Sequence, residues 1–204
     1  MSVSFIEFFV EEPSAEVAVR IVVPKILGVD ERSFDVHSFA GKSDLLSQLP
    51  DRLNGYAHWL PTDWRIVILL DEDRQDCMRL KRKVEKMARD AGLEPKRRGQ
   101  AAAFQVLTRF AIEELEAWYL GDVAALCAAY PGFPGTLHKR AAFRNADAIA
   151  GGTWERLEQV LQRIGYHEGG LAKIQLARDV TPHMDPAENR SRSFQVFRDG
   201  LRAL

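Results

Sequence analysis

Apolar and polar positions along the chain alternate between short strand-like runs and longer helical periods. Residues 5–10, Phe-Ile-Glu-Phe-Phe-Val, are rich in strand formers and end on Glu11-Glu12-Pro13-Ser14-Ala15-Glu16. Pro13 and Ser14 break the strand, and Ser14 suits the cap of a helix running to about Leu27. Val17, Ala18, Ile21 and Val22 form its apolar face, Pro24 bends or ends it, and Gly28 closes it. Residues 33–39 alternate apolar and polar, as an outer strand with one exposed face should, and Gly41-Lys42-Ser43 then opens a short helix. Residues 54–64, with His58, Trp59, Pro61 and Trp64, read as an irregular connection. The next run, 66–70, is Ile-Val-Ile-Leu-Leu with no polar alternation, the pattern of a strand buried on both faces of a parallel sheet. It stops on Asp71-Glu72-Asp73-Arg74-Gln75-Asp76-Cys77, after which Cys77, Leu80, Val84, Met87 and Ala91 recur at helical spacing.

Gly92 and Pro95 end that helix, and residues 96–99 make a basic turn. Residues 104–112 read as a fourth strand leading into Glu113-Glu114-Leu115-Glu116-Ala117-Trp118-Tyr119-Leu120, where Leu115, Trp118, Tyr119 and Leu126 suit a helix packed on the sheet. Pro131-Gly132-Phe133-Pro134-Gly135 looks like a boundary. Helical segments follow near 137–149, 153–164, 170–180 and 191–203, with Trp154 and Phe194 placed to dock them. Strands alternating with helices predict an α/β fold, an open and mainly parallel sheet flanked by helices over residues 1–130, with a C-terminal helical annex over 131–204 packed on it.

A chain of 204 residues is long enough for such a core. A formal net charge of −1 argues against a protein that coats nucleic acid indiscriminately, although acids lead in the first third of the chain and bases trail in the last. No apolar run approaches the ~20 residues of a membrane span, and the first residues lack the pattern of a signal peptide, so the expected setting is cytoplasmic with no membrane partner. Cys77 and Cys127 stand far apart, which indicates helix core and neither a zinc knuckle nor a disulfide framework. His58 has no second ligand at helical spacing. The Gly41-Lys42-Ser43 triplet is a turn and cap, because the first Gly of a phosphate-loop pattern would fall on Val36.

The chemistry lies in the acids. Asp71 and Asp73 sit on a strand-to-helix turn, where open α/β sheets bind ligands, and would point the same way if the chain there is extended. Paired carboxylates are hard oxygen ligands suited to Mg²⁺ or Mn²⁺. An Asp at such a turn is also an ordinary helix cap, but one cap does not need Asp71, Asp73 and Asp76 together. Glu11 and Glu16 repeat the arrangement after the first strand, and Glu114 and Glu116 after the fourth, where the helix dipole also favours acids. Lys173, His183, Asn189, Arg190 and Ser193 are the annex residues that either face these acids or meet water.

The order of these acids, Glu after the first strand and Asp-x-Asp after a later central one, resembles the Toprim domain, a metal-binding α/β module of topoisomerases, bacterial primases and OLD-type nucleases. Residues 70–77, Glu114-Leu115-Glu116-Ala117-Trp118 and Asn189-Arg190-Ser191-Arg192-Ser193-Phe194 are together similar to a family of small bacterial Toprim-like proteins. The likeness implies a Mg²⁺ site, or Mn²⁺, built from Glu11, Asp71 and Asp73 with Glu16, Asp76 and Glu116 in support. It also implies frequent association with AAA- or ABC-type ATPases. One departure stands out: Glu12 occupies the place after Glu11 where such turns commonly carry Gly, which predicts an altered turn. The expected function is metal-dependent phosphodiester cleavage of nucleic acid, DNA or tRNA, with Glu11, Asp71 and Asp73 as catalytic residues. The competing reading is a non-catalytic binding partner of an ATPase. A phosphatase of the haloacid dehalogenase type ranks last, because that family's Asp-x-Asp usually follows the first strand and continues to Thr or Val, whereas Arg74 and Gln75 follow Asp73 here.

Overall fold

The computed structural model describes residues 3–30, 33–97, 99 and 104–204. Strands β1 (Phe5–Val10), β2 (Phe34–Ser38), β3 (Trp64–Asp71) and β4 (Val106–Ala111) form one open, all-parallel sheet in the order β2-β1-β3-β4. Parallel neighbours need long crossovers. Helices α1 (Pro13–Leu27), α2 (Lys42–Ala57) and α3 (Cys77–Asp90) lie in those connections. After β4 come α4 (Glu116–Leu120), α5 (Val123–Ala129), α6 (Thr153–Gln162), α7 (Lys173–Val180) and α8 (Arg192–Arg202). Among the described residues no helix is long and apolar enough to cross a membrane.

The two-residue period of the strands divides the core into two layers. Phe9, Ile66, Ile68 and Leu70 pack against Leu45, Leu49 and Leu53 of α2 and Val84 and Ala88 of α3. On the other face, Phe8, Val10, Val67 and Leu69 share one cluster with α1 and with Leu157, Leu176, Phe194 and Phe197 from beyond residue 130. The annex therefore supplies much of one covering layer of the sheet, and the apolar core runs through the boundary near residue 131 without a break. Trp118 shows how it is held: its ring meets Phe194 edge-on at 5.2 Å and its Nε1 donates to Ser193 Oγ at 3.1 Å. Burying one such ring contributes ~1.5–3 kcal/mol. Asn189 Nδ2 donates to the Trp118 carbonyl at 2.8 Å, and Arg190 N to that of Gly121 at 2.9 Å. Gly121 permits this approach, since a Cβ there would stand 2.4 Å from Asn189 Oδ1.

Local chemistry moved several expected boundaries. Glu12, not Ser14, precedes α1, with Pro13 opening the helix, the position that tolerates its missing N–H. Gly28 closes α1 in the left-handed conformation, its N–H on the Pro24 carbonyl, so Pro24 falls within the helix. The helix after Gly41 is long and continues through Pro50 to Ala57, where an irregular connection was expected. Leu126 belongs to a separate helix, because Asp122 caps α5 through the Ala125 N–H at 3.0 Å. Residues 137–149 hold two short 3-10 turns, at Leu137–Lys139 and Ala141–Phe143, in place of a helix. Only Leu137, Ala146 and Ile149 are buried there, too few and too unevenly spaced to anchor one. Cys77 and Cys127 are unpaired and only half-buried, so neither is full core. In the basic turn, Arg98 lies outside the described residues, Lys96 donates to the Ala203 carbonyl at 3.1 Å and Arg97 pairs with Glu94 at 2.8 Å.

Candidate metal centre

All four strands run the same way, so their carboxyl ends share one edge, and Glu11, the Asp71-to-Asp73 turn and Glu113 to Glu116 all follow strands there. β1 and β3 are direct neighbours with Val10 opposite Leu69, and the Asp71 N–H donates to Glu11 Oε2 at 3.2 Å. That bond holds Glu11 against the end of β3. Glu12 is extended, with φ −146° and ψ 164°, so this turn makes no demand for glycine and the departure from the Toprim pattern carries no backbone penalty.

Asp71 and Asp73 do not point the same way along an extended chain. β3 ends at Asp71, which is buried, and the backbone then turns left-handed at Asp73 (φ 50°) and Arg74 (φ 59°). The Glu113 carbonyl accepts the N–H groups of Glu72 and Asp73 at 3.0 and 2.9 Å, so the turn after β4 holds the turn after β3. Asp73 faces outward and takes Lys42 Nζ at 2.5 Å. Glu11 lies electrostatically between the two. Burial raises its carboxyl pKa above the usual value, opposed mainly by Lys42, while Asp73 pushes the same way as burial. Asp71 is pushed well up by burial, then by Glu116 and Glu11.

Glu116, the first residue of α4, is fully buried, and neither of its carboxylate oxygens has a hydrogen-bond partner on another described residue. Burial, partly offset by Lys173, pushes its pKa up to about 7. Lys173 opens α7, which packs along α1, and its Nζ lies 3.6 Å from Glu12 and 3.8 Å from Glu116. Burial works against its charge, but Glu116, Glu12, Asp71 and Glu114 outweigh that and raise its pKa. A small cleft of about 180 Å³ opens beside these groups, lined by Asp73, Arg74, Glu113, Glu114, Gly152 and Glu155. There Glu113 pairs with Arg74 and accepts the Thr153 hydroxyl at 3.1 Å, and Glu114 accepts the Trp154 N–H at 3.3 Å.

Two of the expected supporting ligands are occupied elsewhere. Glu16 binds Arg20 at 3.0 Å and accepts the Ser38 hydroxyl at 2.5 Å. Asp76 caps α3, accepting from Met78 N and Arg79 N at 2.9 and 3.0 Å. Asp76→Ala should accordingly lower stability by ~1 kcal/mol in urea unfolding, the usual cost of a lost cap, with divalent-ion affinity unchanged; a loss of affinity would return Asp76 to the centre. Of the annex residues, Lys173 reaches the acids, whereas Asn189 and Ser193 are buried in the docking of α8, and His183 and Arg190 are exposed. Lys42 lies in the triplet read as a mere turn, and no sequence signal connects it to Asp73 thirty-one residues later. Glu155 was hidden in an ordinary amphipathic helix.

No three carboxylates of this cluster bring ligand atoms within 4.8 Å of one another; among the described residues Glu7, Asp35 and His37 do. That trio is satisfied internally. His37 Nε2 meets Glu7 at 2.8 Å, and Asp35 Oδ1 accepts from Arg20 at 2.9 Å and from the Val36 N–H at 2.7 Å. At the sheet's carboxyl edge, by contrast, Glu116 has no hydrogen bond from another described residue, and the counter-cations there are Lys42, Lys173 and the Arg74 guanidinium on Glu113. An all-oxygen donor set with an orphaned buried carboxylate suits a hard divalent ion, although side chains must close in to hold one.

Fold and site together define an open parallel α/β protein whose strand ends gather a partly buried acidic cluster. A family model described as Domain of unknown function (DUF4276) matches residues 10–202, and the chain belongs to that family. Neither the curated proteins nor the solved structures contain a match.

Proposed function

We propose that this protein is a Mg²⁺- or Mn²⁺-dependent phosphodiesterase of the Toprim type, cleaving DNA or tRNA in the cytoplasm together with an AAA- or ABC-type ATPase in a bacterial defence-like system. The observation that carries this reading is Glu116: a fully buried carboxylate without a hydrogen bond, coupled to Asp71 and, through it, to Glu11. Among the described residues Lys173 and the backbone at Glu116 are what favour its ionised form, too little to offset burial, and a cation would lower the cost of ionising it. Glu11, Asp71, Asp73 and Glu116 would hold the ion, and when bound it would stabilise negative charge developing on a phosphate. The chain's own groups then divide the work. Glu11 is positioned by the Asp71 N–H, and burial, which raises its pKa, makes it a better proton acceptor than an ordinary carboxylate. Lys173 and Lys42, which balance the acids in the free protein, supply positive charge for the entering phosphate. Two unpaired cysteines fit a reducing compartment.

The binding-partner reading draws on those same lysines. A cluster balanced by its own ammonium groups folds without an ion and is compatible with a surface that serves an ATPase. Incubating the protein with DNA and with tRNA, in Mg²⁺ or Mn²⁺ and with or without the ATPase, separates the two. Cleavage that EDTA abolishes is the expected result. Intact substrates under every one of those conditions would leave the partner reading in possession.

A further inference from the structure

β4 is the outer strand on its side of the sheet, and a second cavity of about 410 Å³ lies along it, between α3 on one side and α8 on the other. We propose that this cavity is a binding site for a phosphate monoester carried on an apolar body, of the mononucleotide class, separate from the acidic cluster and independent of its metal.

Charge is the first argument. Lys81 from α3, Arg109 from β4 and Arg192 from α8 line the cavity, with Asp147 as the acid among the lining residues. Asp147 is already spent: Oδ1 accepts the hydroxyls of Ser191 and Ser193 at 2.7 and 3.0 Å, and Oδ2 accepts the Ser193 N–H at 2.9 Å. Lys81 has Glu85 at 3.5 Å on its own helix, whereas Arg192 among the described residues bonds the neutral Gln195 and no carboxylate. Set against Asp147 and Glu85, the three cations still leave the cavity positive, which favours an anionic group such as a phosphate monoester.

The second argument is construction. Arg109 is held rigidly: Nη1 donates to the Thr108 carbonyl at 2.9 Å and Nε to the Val196 carbonyl at 3.1 Å. Its guanidinium lies against α8 at Gly200, where a Cβ would stand 2.5 Å from Nε and Nη2. A charge is thus brought to the cavity wall by carbonyls and a bare helix backbone; among the described residues no carboxylate hydrogen-bonds to it, and Glu85 acts on it through space. Beside it Thr108 is 3 % exposed, and its hydroxyl is buried without a hydrogen-bond partner. Buried hydroxyls are nearly always paired, and this unpaired one belongs to a residue that lines the cationic cavity. Asn145 spends its side-chain oxygen on the Asp147 N–H and keeps its amide nitrogen to donate.

The third argument is the apolar remainder. Phe110, Ile112 and the 40 % exposed Val196 complete the wall. Free inorganic phosphate would leave these surfaces in water, whereas a nucleoside would cover them; an apolar wall with a few convergent donors and this volume is the usual form of a small-molecule site.

The shared chemistry has two sources, a free mononucleotide or the 5′-phosphate end of a strand. The test is calorimetry on the full chain in EDTA, so that the acidic cluster takes no part, with AMP, adenosine, inorganic phosphate, and one short DNA strand with a 5′-phosphate or a 5′-hydroxyl. AMP or the phosphorylated strand should bind, and adenosine and the unphosphorylated strand much more weakly. Whichever of the two binds more tightly identifies the source. Arg192→Ala should weaken binding by about tenfold or more, as expected for a lost hydrogen bond to a charged group. Thr108→Val, close in shape, should weaken it less but measurably. Binding of adenosine equal to AMP, no binding of any phosphate ester, or affinity indifferent to both substitutions overturns the proposal. Because no metal is present, any of these outcomes leaves the phosphodiesterase reading standing.

Discussion

Asp71→Asn combined with Asp73→Asn is expected to abolish divalent-ion binding in calorimetry and to reduce cleavage to background while the protein stays folded. The two carboxylates differ in setting, one buried at the end of β3 and one paired with Lys42, and removing both charges leaves Glu11 and Glu116 as an incomplete ligand set. Folding should survive for a physical reason. Burial already holds the Asp71 carboxyl far above the normal range, so its ionised form is a burden that Asn lacks. Asp73 is 41 % exposed, and its pair with Lys42 is worth little more than other surface ion pairs. Glu11→Gln probes the proton-transfer role separately: it should lower cleavage by ~10²-fold or more, within the range for general acid–base catalysis. Ion binding that persists in the double Asn variant would move the metal elsewhere, and the trio of Glu7, Asp35 and His37 would be the first place to look, by His37→Ala.

The second large effect concerns Glu116 in metal-free protein. Its pKa is about 7 in the fold against an ordinary 4.5, so the folded state binds that proton more tightly than the unfolded chain does. The resulting stabilisation is complete below pH 4.5 and is lost as pH rises through about 7. A shift of this size corresponds to a loss on the order of 3 kcal/mol across that window. Glu116→Gln removes the titration, and above pH 7 it should make the metal-free protein more stable than wild type by up to that amount, with a flatter pH profile. Saturating Mg²⁺ should raise the thermal midpoint of wild type at pH 8 and do little for the variant. Thermal unfolding at pH 5 and 8, with EDTA or Mg²⁺, reads all of this; identical pH profiles for the two proteins would mean that Glu116 is not the titrating group.

Residues 66–70 declared themselves as a strand because a chain buried on both faces has no use for polar alternation, residues 5–10 because they are rich in strand formers, and the helices between them followed from their apolar spacing. The position of Glu11, Asp71 and Asp73 at the carboxyl edge of the sheet was legible as well, since acids directly after core strands are placed by the strands themselves. The surroundings of the other acids were not. Glu16 and Asp76 look no different in sequence from Glu116, yet the first meets Arg20 and Ser38, the second caps α3, and only the third is buried without a hydrogen bond. Which acid carries an uncompensated charge depends on what surrounds it, and sequence neighbours do not reveal that.

What the sequence by itself determined was the local grammar: the alternation of strands and helices, the acids after them, and the turns at Gly28, Gly41 and Gly92, each a glycine with positive φ. These are near-neighbour effects of propensity, period and backbone freedom. Tertiary structure alone decided the rest. It joined β1 to β3, so that Glu11 meets Asp71 across sixty residues, and laid α7 along α1, so that Lys173 arrives at Glu12 and Glu116. It also set Gly200 against Arg109, which holds a guanidinium at the wall of the cavity along β4. Long-range packing chooses such partners, because burial removes water as the alternative and makes the charge of each neighbour count.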